Sequence, residues 1–392
     1  MQTDATDPSF TGLDDRIFMT VIDQGTLGQR IELARQLSQF LGREDAPEQE
    51  REQVVPAVLM LAADPDAEVR QALAEGLAEQ PGLDPDVLFA IIADDDEIAL
   101  PFLGRTPALG HWHMLAVLRV GDDARRAVIA LRPDVSAEAI DYIVESLPLA
   151  VNALLLENSA AVLTRAQFQR LHQRFAEAPE IMEALLARDD LPLEVRISET
   201  RRRAARMQQL VVARGWLPAN DAGELIADAE ETAVLGLLTG AEQSELPAVV
   251  AALVEDEMLT PSIIVRAACQ GAIDVVALIL ADLAGVTPKR ARDAMLVKPP
   301  GAFRSLHAKA GLPQGCYWTL QAACDVAREE REDGVTLTPD DFGRRLIEVL
   351  MTRYEALPMR ERPGQLDYVG RFAADRVRLI ARRLKADLLR AA

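Results

Sequence analysis

The sequence predicts an all-α protein in which short helix pairs stack on one another and a second helical region follows. Three observations predict this class: the composition, the spacing of the apolar residues and an internal repeat. Of the 392 residues, 49% are hydrophobic but only 4% are aromatic. Because sandwiches and barrels favour β-branched and aromatic side chains, this composition is typical of closely packed helices.

Apolar residues follow the helical period from Leu27 onward. Leu33, Leu37, Phe40 and Leu41 sit at positions i, i+4, i+7 and i+8, which places them on one face of a helix. No stretch alternates apolar and polar residues as strands do. The preceding residues, 1–25, are polar and mixed, so we expect a tail or a short capping element there.

An internal repeat spans residues 83–191. Its apolar anchors are spaced by 26, 26, 28 and 28 residues, and they are Leu83, Leu109, Val135, Leu163 and Leu191. Each repeat has the pattern of a short helix, a turn marked by proline or aspartate, and a second helix, because a proline ends the helix before it. A unit this small cannot bury its own apolar face and must stack on its neighbours. The period therefore predicts a short α-solenoid.

The pattern divides the chain into four regions. We expect a polar tail or cap at 1–25, the helical repeats at 26–195, a further helical region at 196–330 and C-terminal helices at 331–392. The last helix is predicted to run from about Val369 to Leu389.

The formal net charge of −20 is unevenly distributed. Residues 1–150 hold 28 acidic and 11 basic residues, whereas residues 352–392 hold 5 acidic and 10 basic residues. Because such a chain repels polyphosphate over most of its surface, nucleic acid is not an expected partner.

Two basic patches supply the candidate binding residues. One patch lies on a predicted helix near residue 200 and the other on the last helix, and they consist of Arg201, Arg202, Arg203, Arg206, Arg378 and Arg382. Such patches suit an anionic ligand, nucleic acid, a membrane surface or an acidic partner. Given the acidic first 150 residues, we expect these arginines to pair with the acidic repeats or with a protein partner.

The cysteines and the N-terminus bear on the compartment. Cys269, Cys316 and Cys324 form neither a disulfide framework nor a zinc motif, and no spacing supports pairing of a cysteine with His307. The first residues lack the features of a signal peptide. The longest mainly apolar stretch, 273–284, is shorter than the ~20 residues of a membrane span. These features predict a cytoplasmic protein with no membrane span.

The sequence predicts no enzyme activity, no cofactor and no metal site. None of the common nucleotide-binding, hydrolase or zinc-protease motifs occurs. His111 and His113 flank Trp112 at i and i+2, on different sides of a helix, and are interpreted as packing residues. The carboxylates at 94–97 are interpreted as a solvated helix start rather than a calcium site, because the helix dipole favours acids there.

Three segments carry a family resemblance. Segment 64–78 (DPDAEVRQALAEGLA) has the pattern of HEAT-like repeats, with a turn of acids, then Val-Arg, then an Ala/Leu helix. With segments 270–286 (QGAIDVVALILADLAGV) and 305–313 (SLHAKAGLP), the chain resembles the bacterial domain-of-unknown-function family 2336, found mainly in alphaproteobacteria. The resemblance extends over about residues 30–390. It implies an all-α, HEAT-like fold and no particular activity.

The main hypothesis is a non-enzymatic helical-repeat protein that acts as a protein–protein interaction scaffold or regulator, with a protein partner bound along residues 50–195. The alternative is a nucleic-acid-binding or DNA-repair protein, because some short-unit HEAT-like proteins are alkylated-base glycosylases. Those proteins use a basic concave surface, whereas this stack is acidic. A third hypothesis is an enzyme with an unrecognised site. The oligomeric state stays open.

Overall fold

The computed structural model describes residues 15–43, 46–255, 258–297, 299–353, 362–373, 377–378, 380–382 and 384–385. These residues form α-helices and one short 3-10 helix, and no strand occurs among them. The predicted all-α class is therefore confirmed. By its internal contacts the chain divides into two compact units, residues 1–191 and residues 192–392.

The first unit contains twelve helices among its described residues. They are α1 (Asp15–Gln24), α2 (Leu27–Leu41), α3 (Glu48–Ala62), α4 (Ala67–Leu77), α5 (Pro85–Ile92), α6 (Asp96–Arg105), α7 (His111–Val120), α8 (Asp123–Leu131), α9 (Ala137–Ser146), α10 (Leu149–Glu157), α11 (Arg165–Arg174) and α12 (Pro179–Ala187). From α2 to α12, each even-numbered helix packs against the next even-numbered helix. Successive helices of the unit also pack as pairs, for example α5 with α6 and α7 with α8.

The spaced apolar anchors stand at the helix starts. Helices α5, α7, α9 and α11 begin two residues after residues 83, 109, 135 and 163. The residue between anchor and helix is Asp84, Ser136 or Thr164 in three cases, and its side chain accepts a hydrogen bond from a backbone N–H of the first turn. An apolar residue just before such a cap fixes the angle at which the chain enters the helix.

Polar side chains join the C-terminal ends of the even-numbered helices. We call Arg132, Asn158 and Arg188 the helix-end ladder. Arg132 donates to the carbonyl oxygens of residues 103 and 106, at the end of α6. Asn158 donates to those of residues 130 and 132 at the end of α8, and Arg188 to those of 156, 158 and 161 at and after the end of α10. The ladder thus satisfies carbonyls that lack a partner within their own helix.

The second unit contains ten helices with assigned bounds and the 3-10 helix. They are α13 (Leu193–Ala213), α14 (Ala219–Gly240), α15 (Leu246–Glu255), α16 (Pro261–Cys269), α17 (Ile273–Leu283), α18 (Pro288–Leu296), α19 (Pro300–Lys309), the 3-10 helix Gln314–Cys316, α20 (Tyr317–Asp333), α21 (Pro339–Thr352) and α22 (Arg362–Phe372). One continuous apolar cluster runs from Ile197 to Ala381 and packs these helices together. The predicted division of this half at residue 330 stays a prediction.

Two glycines define the turns on either side of α17. Gly271 and Gly285 have φ of +80° and +58°, in the left-handed region that glycine adopts without a Cβ clash. A Cβ at Gly271 would also lie 3.0 Å from the ring of Phe342 on α21, so this turn packs directly on another helix.

The last predicted helix is not continuous. Helix α22 ends at Phe372, residue 373 is a bend, and residues 377–378 are helical, whereas residues 374–376, 379 and 383 of the prediction lie outside the described residues. Arg378 Nε donates to the carbonyl of Ala373 at 2.5 Å, and Arg382 Nε donates to that of Gly370 at 3.0 Å. These bonds satisfy the end of α22, and the prediction of one helix over 369–389 is wrong at this bend. Residues 386–389 of that prediction lie outside the described residues.

Candidate functional site

Four of the predicted site residues lie on α13. Arg201 forms an ion pair with Glu230 of α14 at 3.1 Å. Arg202 and Arg203 pair with Glu199, one turn earlier on their own helix, at 3.2 and 2.8 Å. Arg206 is exposed on the same helix. The carboxylates of these three pairs therefore belong to the second unit and not to the acidic repeats.

The two carboxylates that receive these arginines differ in exposure, since Glu199 is buried and Glu230 is partly exposed. Glu199 is 3% exposed and thus needs its two cationic neighbours. Burial raises the pKa of Glu230, whereas the charge of Arg201 acts in the opposite direction. The patch near residue 200 is therefore partly a structural joint between α13 and α14.

The other two predicted site residues line a groove in the second unit. The groove has a volume of about 780 Å³, and its lining residues are Asp221, Glu224, Leu225, Asp228, Leu366, Asp367, Gly370, Arg371, Arg378, Arg382 and Lys385. Helix α14 supplies an acidic wall and the C-terminal segment a basic one. The walls meet where Arg378 approaches Asp228 at 3.9 Å. This arrangement can bind a ligand that carries both charges.

A fully buried arginine lies next to this groove. Arg266 of α16 is 0% exposed. Its guanidinium contacts Asp228 and Glu231, donates to the hydroxyl of Thr232 at 2.8 Å and lies over the ring of Phe372, 4.9 Å from the centroid. Arg266 therefore fixes α14 and α22 on α16. Sequence analysis missed it, although an arginine in the apolar helix PSIIVRAAC signals a buried ion pair.

A cysteine and a histidine meet inside the second unit. Cys316 Sγ lies 3.7 Å from His307 Nε2, although the spacing gave no indication of this pair. Burial raises the pKa of Cys316 and lowers that of His307. Both shifts favour the neutral forms, whereas a nucleophilic pair needs a thiolate and an imidazolium.

The acids at residues 94–96 are paired with arginines. Arg70 of α4 contacts Asp94 at 2.8 Å and Asp95 at 3.0 Å. Arg125 of α8 contacts Asp96 at 2.9 Å. The segment is thus a joint between helices rather than only a solvated cap.

An aromatic group lies on the surface of the first unit. Trp112 is 70% exposed at the start of α7, and its ring lies 4.9 Å from that of His111. The ring of His113 contacts that of Phe89 on α5 at 5.6 Å, and its Nδ1 accepts a hydrogen bond from the Gly110 N–H at 3.1 Å. The two histidines do not converge on one point, in agreement with their spacing. In the part of the chain that the structure describes, no group of three or more His, Cys, Asp or Glu side chains could hold a metal ion.

Comparison with known protein families identifies the family to which the chain belongs. Residues 98–360, about two thirds of the sequence, match the family described as uncharacterised protein conserved in bacteria (DUF2336). The chain belongs to this family. No curated protein and no solved structure matches the chain.

The DUF2336 match is narrower than the resemblance predicted. It includes segments 270–286 and 305–313 but excludes segment 64–78. It contains the helix-end ladder, the α13 arginines and Arg266, whereas Arg378 and Arg382 lie beyond it. Among the described helices, none has both the length and the apolar character that a bilayer crossing requires.

Proposed function

We propose that this DUF2336 protein is a non-enzymatic interaction scaffold or regulator, in which the first unit forms a HEAT-like solenoid that binds a basic protein partner. The charge distribution supports a basic partner. Residues 1–191 hold 34 acidic and 15 basic residues, whereas residues 192–392 hold 28 and 27. A net charge of −19 on one unit attracts a cationic surface and speeds its association.

The observation that carries the proposal concerns the ion pairs of Arg70 and Arg125 in the first unit. In these pairs the arginine side chain is largely covered, whereas most of the carboxylates are exposed to solvent. The side chains of Arg70 and Arg125 are 15% and 12% exposed. Of their four carboxylate partners, Asp95, Asp96 and Asp122 are 79%, 59% and 55% exposed, whereas Asp94 is 10% exposed. Three of the four carboxylates thus face solvent while both arginines are largely covered, which leaves negative charge at the surface of the first unit.

The exposed aromatic group supplies an apolar anchor on the same unit. Trp112 is 70% exposed and Phe89 is 37% exposed. Tryptophan is enriched among the few residues that dominate the binding energy of protein interfaces. A basic partner that also covers Trp112 would gain both long-range attraction and a local contact.

One observation supports a non-catalytic role and a second supports the proposed compartment. The Cys316–His307 pair is buried, with both residues at most 2% exposed, so substrate has no access to it. The three cysteines are free thiols, which suits the reducing cytoplasm in which we place the protein.

Affinity capture from the native bacterium tests the proposal. We expect the full chain to capture a basic protein, and we expect the Trp112→Ala variant and the Asp95→Lys, Asp96→Lys double variant each to weaken its binding at least tenfold. Capture should also decrease with salt, because exposed charges are screened.

Matched controls separate the anchor from general surface effects. Val162 is 82% exposed on the same unit, so Val162→Ala should leave capture unchanged. Glu332 is exposed in the second unit, so Glu332→Lys should also leave it unchanged. Equal capture by all variants would remove the proposal. A mobility shift with DNA at low salt, lost in an Arg203→Glu, Arg206→Glu variant, would instead favour the nucleic-acid alternative.

A further inference from the structure

The groove beside α14 carries balanced charge. Four acidic and four basic side chains line its volume of about 780 Å³. A volume of about 300–1,000 Å³ is typical of ligand sites. Three of the acids belong to α14, whereas the four cations belong to α22 and the segment after it. The groove therefore presents a different charge to each side of a ligand.

Four of these eight charged side chains form no ion pair with any residue that the structure describes. They are Asp221 and Glu224 on the acidic wall and Arg371 and Arg382 on the basic wall, and all four are exposed. The other four are engaged, since Arg378 approaches Asp228 at 3.9 Å and Lys385 pairs with Asp367. Two carboxylates and two guanidinium groups are thus available to a ligand.

Packing holds the two walls apart. Arg266 ties α14 to α16 through Asp228, and its guanidinium lies over the ring of Phe372 at the end of α22. Arg378 and Arg382 use their Nε atoms to donate to the carbonyls of residues 373 and 370, on their own side of the groove. Charges that are fixed in this way need little reorganisation when a ligand binds, which favours affinity.

The charges repeat along both walls. On α14 they lie at i, i+3 and i+7 from Asp221, which places them on one helix face. On the other wall they lie at i, i+4 and i+7 from Arg378, and the described residues of 377–385 are helical. Seven residues of helix advance about 10 Å, so each row of charges is about 10 Å long. A ligand with a single charge of each sign would contact only part of each row.

An extended peptide matches two such rows. Successive side chains of an extended chain point to opposite sides, and each residue advances about 3.3 Å, so about four residues cover one row. We propose that the groove binds a peptide segment of this length in which basic and acidic residues alternate, with the basic side chains towards α14 and the acidic ones towards Arg371 and Arg382. A polyanion would meet the carboxylates of α14, and a polycation would meet the guanidinium groups. The site lies in the second unit and is independent of the partner proposed for the first.

Fluorescence anisotropy with the full chain tests the proposal. The labelled peptides have capped ends and the sequences Lys-Glu-Lys-Glu, in which each sign faces one side, and Lys-Lys-Glu-Glu, in which both signs face both sides. At low salt we expect a Kd under about 1 mM for the alternating peptide and binding weaker by about fivefold or more for the block peptide. Absence of binding, or equal binding of the two peptides, overturns the proposal. Equal competition by the free dipeptide Lys-Glu would also overturn it, because a small zwitterion would then suffice.

A variant of the acidic wall tests which peptide charge this wall binds. Asp221→Asn with Glu224→Gln removes the two unpaired carboxylates. Replacement of the peptide lysines by alanine should weaken binding to the wild type by about fivefold or more but binding to this variant by less than about twofold, because the variant lacks their partners. Replacement of the peptide glutamates should weaken binding to both proteins alike. Glu332→Gln, at an exposed position of the second unit outside the groove, should behave as the wild type.

A variant of the basic wall should reverse this pattern. Arg371→Gln with Arg382→Gln should lose the response to replacement of the glutamates and keep the response to replacement of the lysines. Circular dichroism checks the fold of every variant, and a variant that loses helix content is replaced by its single substitutions. If either folded wall variant keeps both responses of the wild type, the proposal is overturned.

Discussion

The two units join their helices by different means. In the first unit, buried arginine and asparagine side chains link the end of one helix to the end of the next, as in the helix-end ladder. In the second unit, one apolar cluster extends through the helices, and among its described residues Arg266 is the largest side chain that is fully buried. The first unit also buries an apolar core, which includes Leu73, Phe102 and Phe168, so the two units differ in their polar links: these repeat between helix ends in the first unit and centre on Arg266 in the second.

The polar links of the first unit place charge inside its packing. The guanidinium groups of Arg132 and Arg188 donate to helix-end carbonyls and each pairs with a nearby aspartate, as Arg188 does with Asp190 at 2.8 Å. Charge is thus part of the packing there, and a buried charge with satisfied partners is acceptable. In the second unit the fully buried Arg266 pairs with Asp228 and Glu231, and five large apolar side chains between residues 207 and 225 are exposed.

The largest expected effect comes from removing the buried arginine of the second unit. Arg266→Ala leaves Asp228 and Glu231 without their cation, which should lower the free energy of unfolding by about 3–5 kcal/mol. Urea unfolding followed by tryptophan fluorescence in a Trp112→Phe background reports on this unit, because Trp216 and Trp318 both lie in it. Arg292→Ala is the control, because its pair with Asp274 is about half exposed and should contribute about 0–1 kcal/mol. If the two substitutions lowered the free energy of unfolding equally, Arg266 would not hold α14 and α22 on α16.

A smaller effect is expected from the helix-end ladder. Arg188→Ala leaves buried carbonyls without donors, which should lower stability by about 2–3 kcal/mol. Hydrogen exchange should become faster in α10 and α12 and remain unchanged in the second unit. Arg170→Ala is the control within the unit, because its pair with Glu145 is exposed on both sides. Faster exchange throughout the chain would contradict the local character of these links.

The smallest effect is a pH dependence of the second unit. Burial lowers the pKa of His307 below its ordinary value of 6.5, although a hydrogen bond to the Pro313 carbonyl opposes the shift. The unfolded chain therefore binds a proton that the folded chain does not, and stability should fall as pH decreases below about 6.5. His307→Phe should reduce this slope in pH-dependent unfolding. His111→Phe, at an exposed position, should leave the slope as it is.

Much of the fold was predictable because it depends on local periodicity. Apolar residues that repeat with the 3.6-residue period of a helix predicted the all-α class. The spaced apolar anchors stand two residues before the starts of α5, α7, α9 and α11. The pairing of Arg202 and Arg203 with Glu199 also follows local spacing, at i−3 and i−4. Sequence reasoning assigned those arginines to the acidic repeats or to a protein partner, because the uneven net charge pointed to distant carboxylates.

The remaining site features depend on how the chain turns. Cys316 meets His307 only because Gly311, with φ of +71°, and the following 3-10 helix reverse the chain after α19. The groove lined by Arg378 lies beside the bend at Ala373. The spacing of apolar residues in the sequence does not predict this bend. Such contacts combine several turns whose angles the sequence pattern does not specify.

The helix-end ladder also limits how the first unit can change in length. Every rung reaches from the end of one even-numbered helix to the end of the previous one, so the donor and its acceptors lie one helix pair apart. Loss of a single helix would direct a guanidinium towards the wrong end of a neighbour, whereas loss of a complete pair would place it on an equivalent set of carbonyls. Growth or shrinkage of this unit during evolution should therefore proceed by whole helix pairs.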